Sequence, residues 1–112
     1  KVKYVLLVPL TYNDGSQVSP EVMHQLEADL LTLGGGYTIA GTVKGAYRMQ
    51  DGSKQVDESL QVWVVIDEQD GPALRELVAR LGSNLGQESM YLEQTTSIVE
   101  FIPTTLLGET EP

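Results

Sequence analysis

Two adjacent carboxylates and two basic side chains are the groups in this sequence whose types and spacing could do chemistry. The carboxylates are Asp57 and Glu58, and the basic residues are Lys44 and Arg48. A carboxylate held in an apolar site has a raised pKa and can serve as a general acid or base. Lysine and arginine hold anions. The sequence therefore admits a small site in which Asp57 or Glu58 is the base and the two basic residues hold an organic anion.

The same four residues also have a purely structural interpretation, which we prefer at this point. In the predicted strand pairing Asp57 lies diagonally across from both Lys44 and Arg48, so the three could form a cross-strand ion cluster. Glu58 faces Gly45, and its carboxylate could turn to solvent or accept a hydrogen bond from a backbone amide. Both interpretations stay open.

Other kinds of site find little support in the sequence. His24, the one histidine, lies on the side of its predicted helix opposite the apolar stripe, so we expect it to be solvated. The run Gly34-Gly35-Gly36 follows a helix and does not precede one, so it predicts a helix end and no phosphate cradle. No metal-ligand spacing is visible. We expect no metal and no cofactor.

Composition narrows the class of protein. The chain of 112 residues has 16 acidic and 7 basic side chains and a net charge of -9, which disfavours binding to nucleic acid or anionic membranes. No apolar run approaches the roughly 20 residues that span a bilayer. The absence of cysteine fits a reducing compartment, so a cytoplasmic location is expected. An acidic inhibitor of a nucleic-acid-binding protein remains one alternative for the function.

Periodicity predicts the elements that would position these residues. Alternating apolar residues predict a first strand over residues 2–12, and Ser19 followed by Pro20 predicts the start of a helix that ends at the glycine run. Two strands follow, joined at Asp51-Gly52. A second helix is predicted after residue 70, ending near Gly86, and short strands are predicted over residues 89–93 and 98–102.

The Asp51-Gly52 pair predicts a two-residue type I′ turn and thereby a register for the hairpin. Gln50 would oppose Ser53, so paired residue numbers would sum to 103. The pairs expected on the core face are Val43/Leu60, Ile39/Val64, Tyr37/Ile66 and Tyr47/Val56.

The order of elements predicts an α+β fold, a ferredoxin-like βαββαβ sandwich with an extra C-terminal strand. Two helices would cover one face of an antiparallel sheet, with the first and third strands central. We expect one domain over residues 1–103 and a flexible acidic tail over residues 104–112.

The sheet face without helices is predicted to be apolar, because Leu60 to Ile66 and Val2 to Leu7 carry apolar side chains on both faces. Exposed apolar patches usually mark interfaces, so we predict a homodimer formed through this face. The leading hypothesis is a non-enzymatic binding domain for a small anionic ligand or a partner protein. The rival is a small cofactor-free enzyme in the same cleft. The predicted binding or interface residues are Val5, Leu7, Lys44, Arg48, Gln61, Trp63, Val65 and Tyr91.

Short motifs along the chain resemble a group of uncharacterised bacterial domains with a ferredoxin-like core. The motifs are Gly35-Gly36-Tyr37-Thr38, Gly45-Ala46-Tyr47, Glu58-Ser59 and Gly86-Gln87-Glu88-Ser89. Tyr47 stands where that pattern has tryptophan. The chain is also loosely similar to dimeric α/β-barrel domains, which pair their sheets face to face. These resemblances imply the fold and a paired sheet, and they assign no catalytic residue.

Overall fold

The computed structural model describes residues 1–105. The helices and strands, in chain order, are β1 (Val2–Pro9), α1 (Pro20–Gly34), β2 (Thr38–Arg48), β3 (Lys54–Ile66), α2 (Gly71–Asn84) and β4 (Leu92–Gln94), with a short 3-10 turn before α2. The four strands form one antiparallel sheet in the order β2-β3-β1-β4. The predicted ferredoxin-like βαββαβ fold is confirmed. So is the central position of the first and third strands.

Both helices begin and end where local chemistry predicts. α1 starts at Pro20 behind Ser19, since proline has no backbone N–H to leave unbonded in the first turn. It ends at Gly35, whose φ of 81° lies in the left-handed region, and the Gly35 N–H donates to the Leu31 carbonyl. α2 begins at Gly71 with Pro72 in its first turn.

The core lies between the helices and the even-numbered face of the central strands. Tyr4, Leu6 and Val8 from β1 and Val62, Val64 and Ile66 from β3 are almost fully buried. The helices cover them with buried leucines and one valine: Leu26, Leu30, Leu74, Leu77, Val78, Leu81 and Leu85. Both predicted helix stripes therefore face the sheet.

The predicted hairpin register is wrong by one residue. The turn has three loop residues, with Gly52 N–H donating to the Met49 carbonyl and Met49 N–H donating to the Ser53 carbonyl. Only Gly52 has a positive φ, at 88°, whereas a two-residue type I′ turn also requires one at Asp51. Asp51 instead accepts hydrogen bonds from the Ser53 N–H and hydroxyl. With these hydrogen bonds Asp51 avoids the left-handed conformation, and the loop has one residue more than the predicted turn.

The longer loop places the side chains of residues 41–48 on the opposite faces from those predicted. Paired numbers sum to 102, as in Lys44↔Glu58, and after a bulge near Gly41 they sum to 101, as in Ile39↔Val62. A one-residue slip moves every side chain to the opposite face. Tyr47 therefore pairs with Gln55 and lies on the helix-free face, and the pairs predicted for Tyr47, Val43 and Ile39 are wrong.

The predicted strand over residues 98–102 is also wrong. β4 has three residues, and the chain that follows it has no regular secondary structure as far as residue 103. Ile98, Phe101 and Ile102 are 88%, 70% and 65% exposed. A strand needs a hydrogen-bonding neighbour, and no strand within residues 1–105 pairs with the segment. Of the predicted tail, residues 106–112 lie outside the described part of the chain.

Candidate functional site

The helix-free sheet face carries the apolar strip that the sequence predicts. Val5 pairs with Trp63 and Leu7 with Gln61 across the two central strands, and Val65 lies one step along from Trp63. All five side chains are half-buried within the single chain. Since the helices lie on the other face, the residues within 1–105 that shield this strip are neighbouring side chains of the sheet and the chain after β4. We call the helix-free side of the sheet the open face. Its centre is the strip formed by Lys3, Val5 and Leu7 of β1 and Gln61, Trp63 and Val65 of β3.

Trp63 is held in place by two polar neighbours on the open face. The Lys3 ammonium nitrogen lies 3.6 Å from the centroid of the indole ring, which is cation–π geometry. The indole N–H donates to Gln61 Oε1 at 2.6 Å. Lys3 is therefore the basic residue that contacts the ring of Trp63.

Tyr91 lies on the open face beside Leu7, as predicted. The Leu7 N–H donates to the Tyr91 carbonyl at 3.5 Å. The Tyr91 hydroxyl donates to Glu93 Oε1 at 3.0 Å. This hydrogen bond to a carboxylate raises the pKa of Tyr91 above its usual value of 10.0, and desolvation adds to the effect. Tyr91 is 48% exposed, so part of the residue can contact a ligand.

Tyr47 forms the other aromatic wall of a cleft that runs between the hairpin and the chain before β4. Its ring lies over Gly45, and a Cβ atom at that position would sit 2.6 Å from the Tyr47 hydroxyl oxygen. Glycine at position 45 therefore lets the ring lie against the strand. The cleft has a volume of about 500 Å³, and both Tyr47 and Tyr91 border it.

Polar groups of β3 line the cleft between the two tyrosines. Asp57 is half-buried and accepts a hydrogen bond from Gln55 Nε2 at 2.9 Å, and Ser59 is 9% exposed. Glu88 lines the side opposite the hairpin, and Arg48 borders the cleft at the hairpin end. The cleft thus combines two tyrosines, two serines and two carboxylates with a single basic residue.

Within residues 1–105 the predicted ion cluster does not form, and the strand register turns Lys44 and Arg48 away from Asp57, although both residues border clefts of the open face. Lys44 pairs with Glu58 and Arg48 with Lys54, which puts all four on the side of the sheet that carries the helices. All are exposed, because the hairpin extends past the helices. Within residues 1–105 the ion pairs are Lys1–Asp67 and Arg80–Glu76, so no cluster joins Asp57 to the basic residues of β2. Glu58 is exposed, which agrees with the preferred interpretation that its carboxylate turns to solvent.

His24 and the metal-ligating residue types form no metal site in the described part of the chain. His24 is exposed on α1, as expected. Among the described residues, no three histidine, aspartate or glutamate side chains come together to hold a metal ion. Neither helix within residues 1–105 is both long and apolar enough to cross a membrane.

Sequence reasoning missed Tyr47 as an open-face residue and missed the contact between Lys3 and Trp63. Tyr47 was assigned to the core by the one-residue register error, and the signal that could have placed it is the loop itself. An Asp-Gly pair serves a two-residue turn and also a three-residue loop, in which only the glycine needs a positive φ. Lys3 was placed on the correct face, but its distance to Trp63 depends on the pairing of β1 with β3.

Three solved structures show what the whole chain resembles. CutA1 from the psychrotrophic bacterium Shewanella sp. SIB1 superposes with a TM-score of 0.67 at 16% identity, over 99% of this chain and 94% of that one. The divalent cation tolerance protein CutA1 from Thermus thermophilus gives 0.65 at 21% identity, over 90% and 86%. A phage SAM lyase in complex with S-methyl-5'-thioadenosine gives 0.63 at 16% identity, over 84% and 79%.

No family model matches the chain, and no curated protein matches its sequence. The resemblance to uncharacterised bacterial domains and to dimeric α/β-barrel domains therefore stays a prediction. At these low identities the solved structures establish the fold alone. The chain has the ferredoxin-like α+β fold that is shared by CutA1 proteins and a phage SAM lyase.

Proposed function

We propose that this chain is a self-associating domain that binds a small aromatic molecule in the cleft between Tyr47 and Tyr91. The observation that carries the proposal is the cleft itself, which has two aromatic walls and a volume of about 500 Å³. That volume lies within the roughly 300–1,000 Å³ typical of small-molecule sites. The half-buried strip of Val5, Leu7 and Val65 continues from the cleft along the open face and supports self-association.

The lining of the cleft favours a neutral or cationic ligand over the anion first expected. Asp57 and Glu88 contribute two carboxylates, while Arg48 at the rim is the one basic residue in the lining. Tyrosine rings stack on planar heterocycles and attract cations. Asp57 and Ser59 can accept hydrogen bonds from ligand hydroxyls. A nucleoside without a phosphate group meets these conditions, and the bound S-methyl-5'-thioadenosine of the phage SAM lyase structure is such a molecule.

Self-association is supported by the continuity of the open face. Trp63, Val65, Val5 and Leu7 form a contiguous strip whose burial by a partner would stabilise the complex by about 25 cal/mol per Å² of apolar surface. A two-fold axis lets one such strip cover another, so the homodimer is the simplest arrangement.

Light scattering of the full chain tests self-association. The native chain should have the mass of two or more copies. Trp63→Asp should give a folded chain with the mass of one copy, because it places a charge at the centre of the strip. Leu31→Asp is the matched control, since Leu31 is 50% exposed on α1, away from the open face. An unchanged mass for Trp63→Asp would contradict the proposed interface.

Calorimetric titration tests the ligand class. S-methyl-5'-thioadenosine should bind, and adenosine 5'-monophosphate, its anionic counterpart, should bind more weakly. Tyr47→Ala and Tyr91→Ala should each weaken binding about 5- to 150-fold, since stacking on an aromatic ring contributes about 1–3 kcal/mol per base. Val56→Ala is the control, because Val56 is an exposed apolar residue of β3 that does not line the cleft. Equal or tighter binding of the monophosphate would overturn the proposed ligand class.

A cofactor-free enzyme using the same cleft is the second candidate, and Asp57 is the observation that favours it. Its carboxylate is half-buried in the cleft, and among the described residues Gln55 is its one side-chain hydrogen-bond partner. Asp57 could therefore act as a base toward a bound ligand, whereas Glu58 is exposed on the other side of the sheet. If the chain converts a bound nucleoside, Asp57→Asn should abolish product formation and leave binding within about threefold.

The acidic-inhibitor alternative finds less support. The acidic side chains within residues 1–105 are spread over both helices, β3, β4 and the connecting loops. An inhibitor of a nucleic-acid-binding protein would instead present its carboxylates along one ridge.

A further inference from the structure

The chain after β4 has a strand-forming sequence with no strand to pair with among the described residues. Residues 98–102, which we call the C-terminal segment, are Ile-Val-Glu-Phe-Ile, a composition enriched in β-branched and aromatic residues. Ile98, Phe101 and Ile102 are 88%, 70% and 65% exposed. Exposed apolar residues in such a concentrated run are typical of a segment that docks on another surface.

The sheet offers an unpaired edge of matching length. β2 lies at one end of the strand order, so within residues 1–105 the outer edge of its 11 residues has no hydrogen-bonding neighbour. The bulge near Gly41 disrupts the first part of the strand, whereas residues 42–48 keep one regular register with β3. Unpaired backbone N–H and C=O groups along such an edge are a template for a further strand.

The C-terminal segment of the same chain is at the wrong place to fill this edge. Val99 and Phe101 border a shallow cleft with Lys3, Trp63 and Thr38, at the beginning of β2. A strand advances about 3.3 Å per residue, so position 45 is roughly 23 Å further along β2 than Thr38. Residues 42–48 are therefore available to a segment from another copy.

The charges of the two elements are complementary. β2 carries Lys44 and Arg48 and no acidic residue, in a chain with 16 acidic and 7 basic side chains. The C-terminal segment carries Glu100 and no basic residue. Lysine and arginine on an edge strand also discourage pairing with unrelated strands, so an acidic partner segment is selected.

We propose that the C-terminal segment of one copy adds as a strand to the outer edge of β2, at residues 42–48, in a second copy. The proposal rests on the self-association proposed above and adds to the strip of the open face a second contact between the two copies. A reciprocal exchange between two copies closes the assembly and buries both segments and both edges. The added strand extends the sheet and brings Glu100 of one chain beside the basic edge of its partner.

Disulfide cross-linking tests the pairing without background, because the chain has no cysteine. Glu100→Cys is combined in turn with Thr42→Cys, Lys44→Cys and Ala46→Cys, three exposed positions on β2. Oxidation should link two chains covalently in at least one double variant, at many times the yield of any of the four single-cysteine variants. Glu100→Cys with Ala73→Cys, an exposed position on α2, is the matched control and should stay at the single-variant yield.

Three results would overturn the proposal, and the measured masses distinguish them. If every double variant stays unlinked while the native chain still has the mass of two or more copies, self-association stands and the segment is not its means. If the native chain has the mass of one copy, both proposals fail. A disulfide formed within one chain, seen at the mass of one copy, would show that the segment folds on its own sheet and would likewise overturn the inference.

Discussion

The ammonium nitrogen of Lys3 lies 3.6 Å from the centroid of the Trp63 ring, at the centre of the open face. In a chain with a net charge of -9, this places one of seven basic side chains over the single tryptophan. The pair sits on the two central strands, out of direct register, since Val5 is the residue paired with Trp63. The contact gives the open face a fixed, partly desolvated centre.

We expect Lys3→Gln to lower the free energy of unfolding by about 0.5–1 kcal/mol, the usual contribution of an exposed cation–π contact. Urea unfolding followed by the fluorescence of Trp63 measures this change directly. Lys54→Gln is the matched control, because Lys54 is exposed at the start of β3 and touches no aromatic ring in the described residues. Equal effects of the two substitutions would contradict a specific contribution from the ring.

The three-residue hairpin loop depends on the positive φ of Gly52. Gly52→Ala should destabilise the chain by about 1–2 kcal/mol, because the left-handed conformation places a Cβ atom close to the following carbonyl oxygen. Gly52→Asn should lose less, since asparagine tolerates this conformation. Chemical denaturation of the three chains gives the comparison, and equal losses would mean that φ at this position is not the cause.

The stability of the same loop depends on pH through the carboxyl of Asp51. Hydrogen bonds from the Ser53 hydroxyl and then the Ser53 N–H lower the pKa of Asp51 below 3.8. A lowered folded-state pKa contributes stability that is complete above the unfolded value of about 3.8 and is lost as the pH falls through the folded value. Ser53→Ala should therefore raise the pKa of Asp51 toward 3.8 in an NMR titration of the side-chain carboxyl.

Ser16→Ala is the control for this titration. The pKa of Asp14 is lowered by hydrogen bonds from Ser16, in a separate turn between β1 and α1. Ser16→Ala should raise the pKa of Asp14 and leave that of Asp51 unchanged. A shift of both carboxyls in either variant would point to a general change of the fold.

Substitutions of Leu74 and Leu31 measure how much burial in the core contributes to the free energy of unfolding. Leu74 is fully buried on α2, and Leu31 is 50% exposed on α1. Leu74→Ala should lower the free energy of unfolding by about 2–5 kcal/mol, because it removes buried methyl groups and leaves a cavity. Leu31→Ala should change it by less than about 1 kcal/mol, since a surface substitution leaves no cavity. Urea denaturation measures both, and similar values would contradict the assignment of the core face of α2.

Local patterns alone determined most of the architecture. The alternation in β1 and β3 placed Leu6, Val62 and Val64 in the core, because side chains of a strand alternate between its two faces whatever the rest of the chain does. The 3.6-residue periodicity placed the leucines of α2 for the same kind of reason. The position of Trp63 on an apolar, helix-free face also follows from the sequence.

The tertiary structure decided what the hairpin presents on each face. Asp51-Gly52 is compatible with loops of two and of three residues, yet one extra residue moves Tyr47 into the cleft and Lys44 to the opposite side of the sheet. A strand also requires a neighbour, so the pattern of residues 98–102 could not by itself show that the described chain leaves the segment unpaired. Register and partner are relations between distant parts of a chain, and only the folded sheet fixes them.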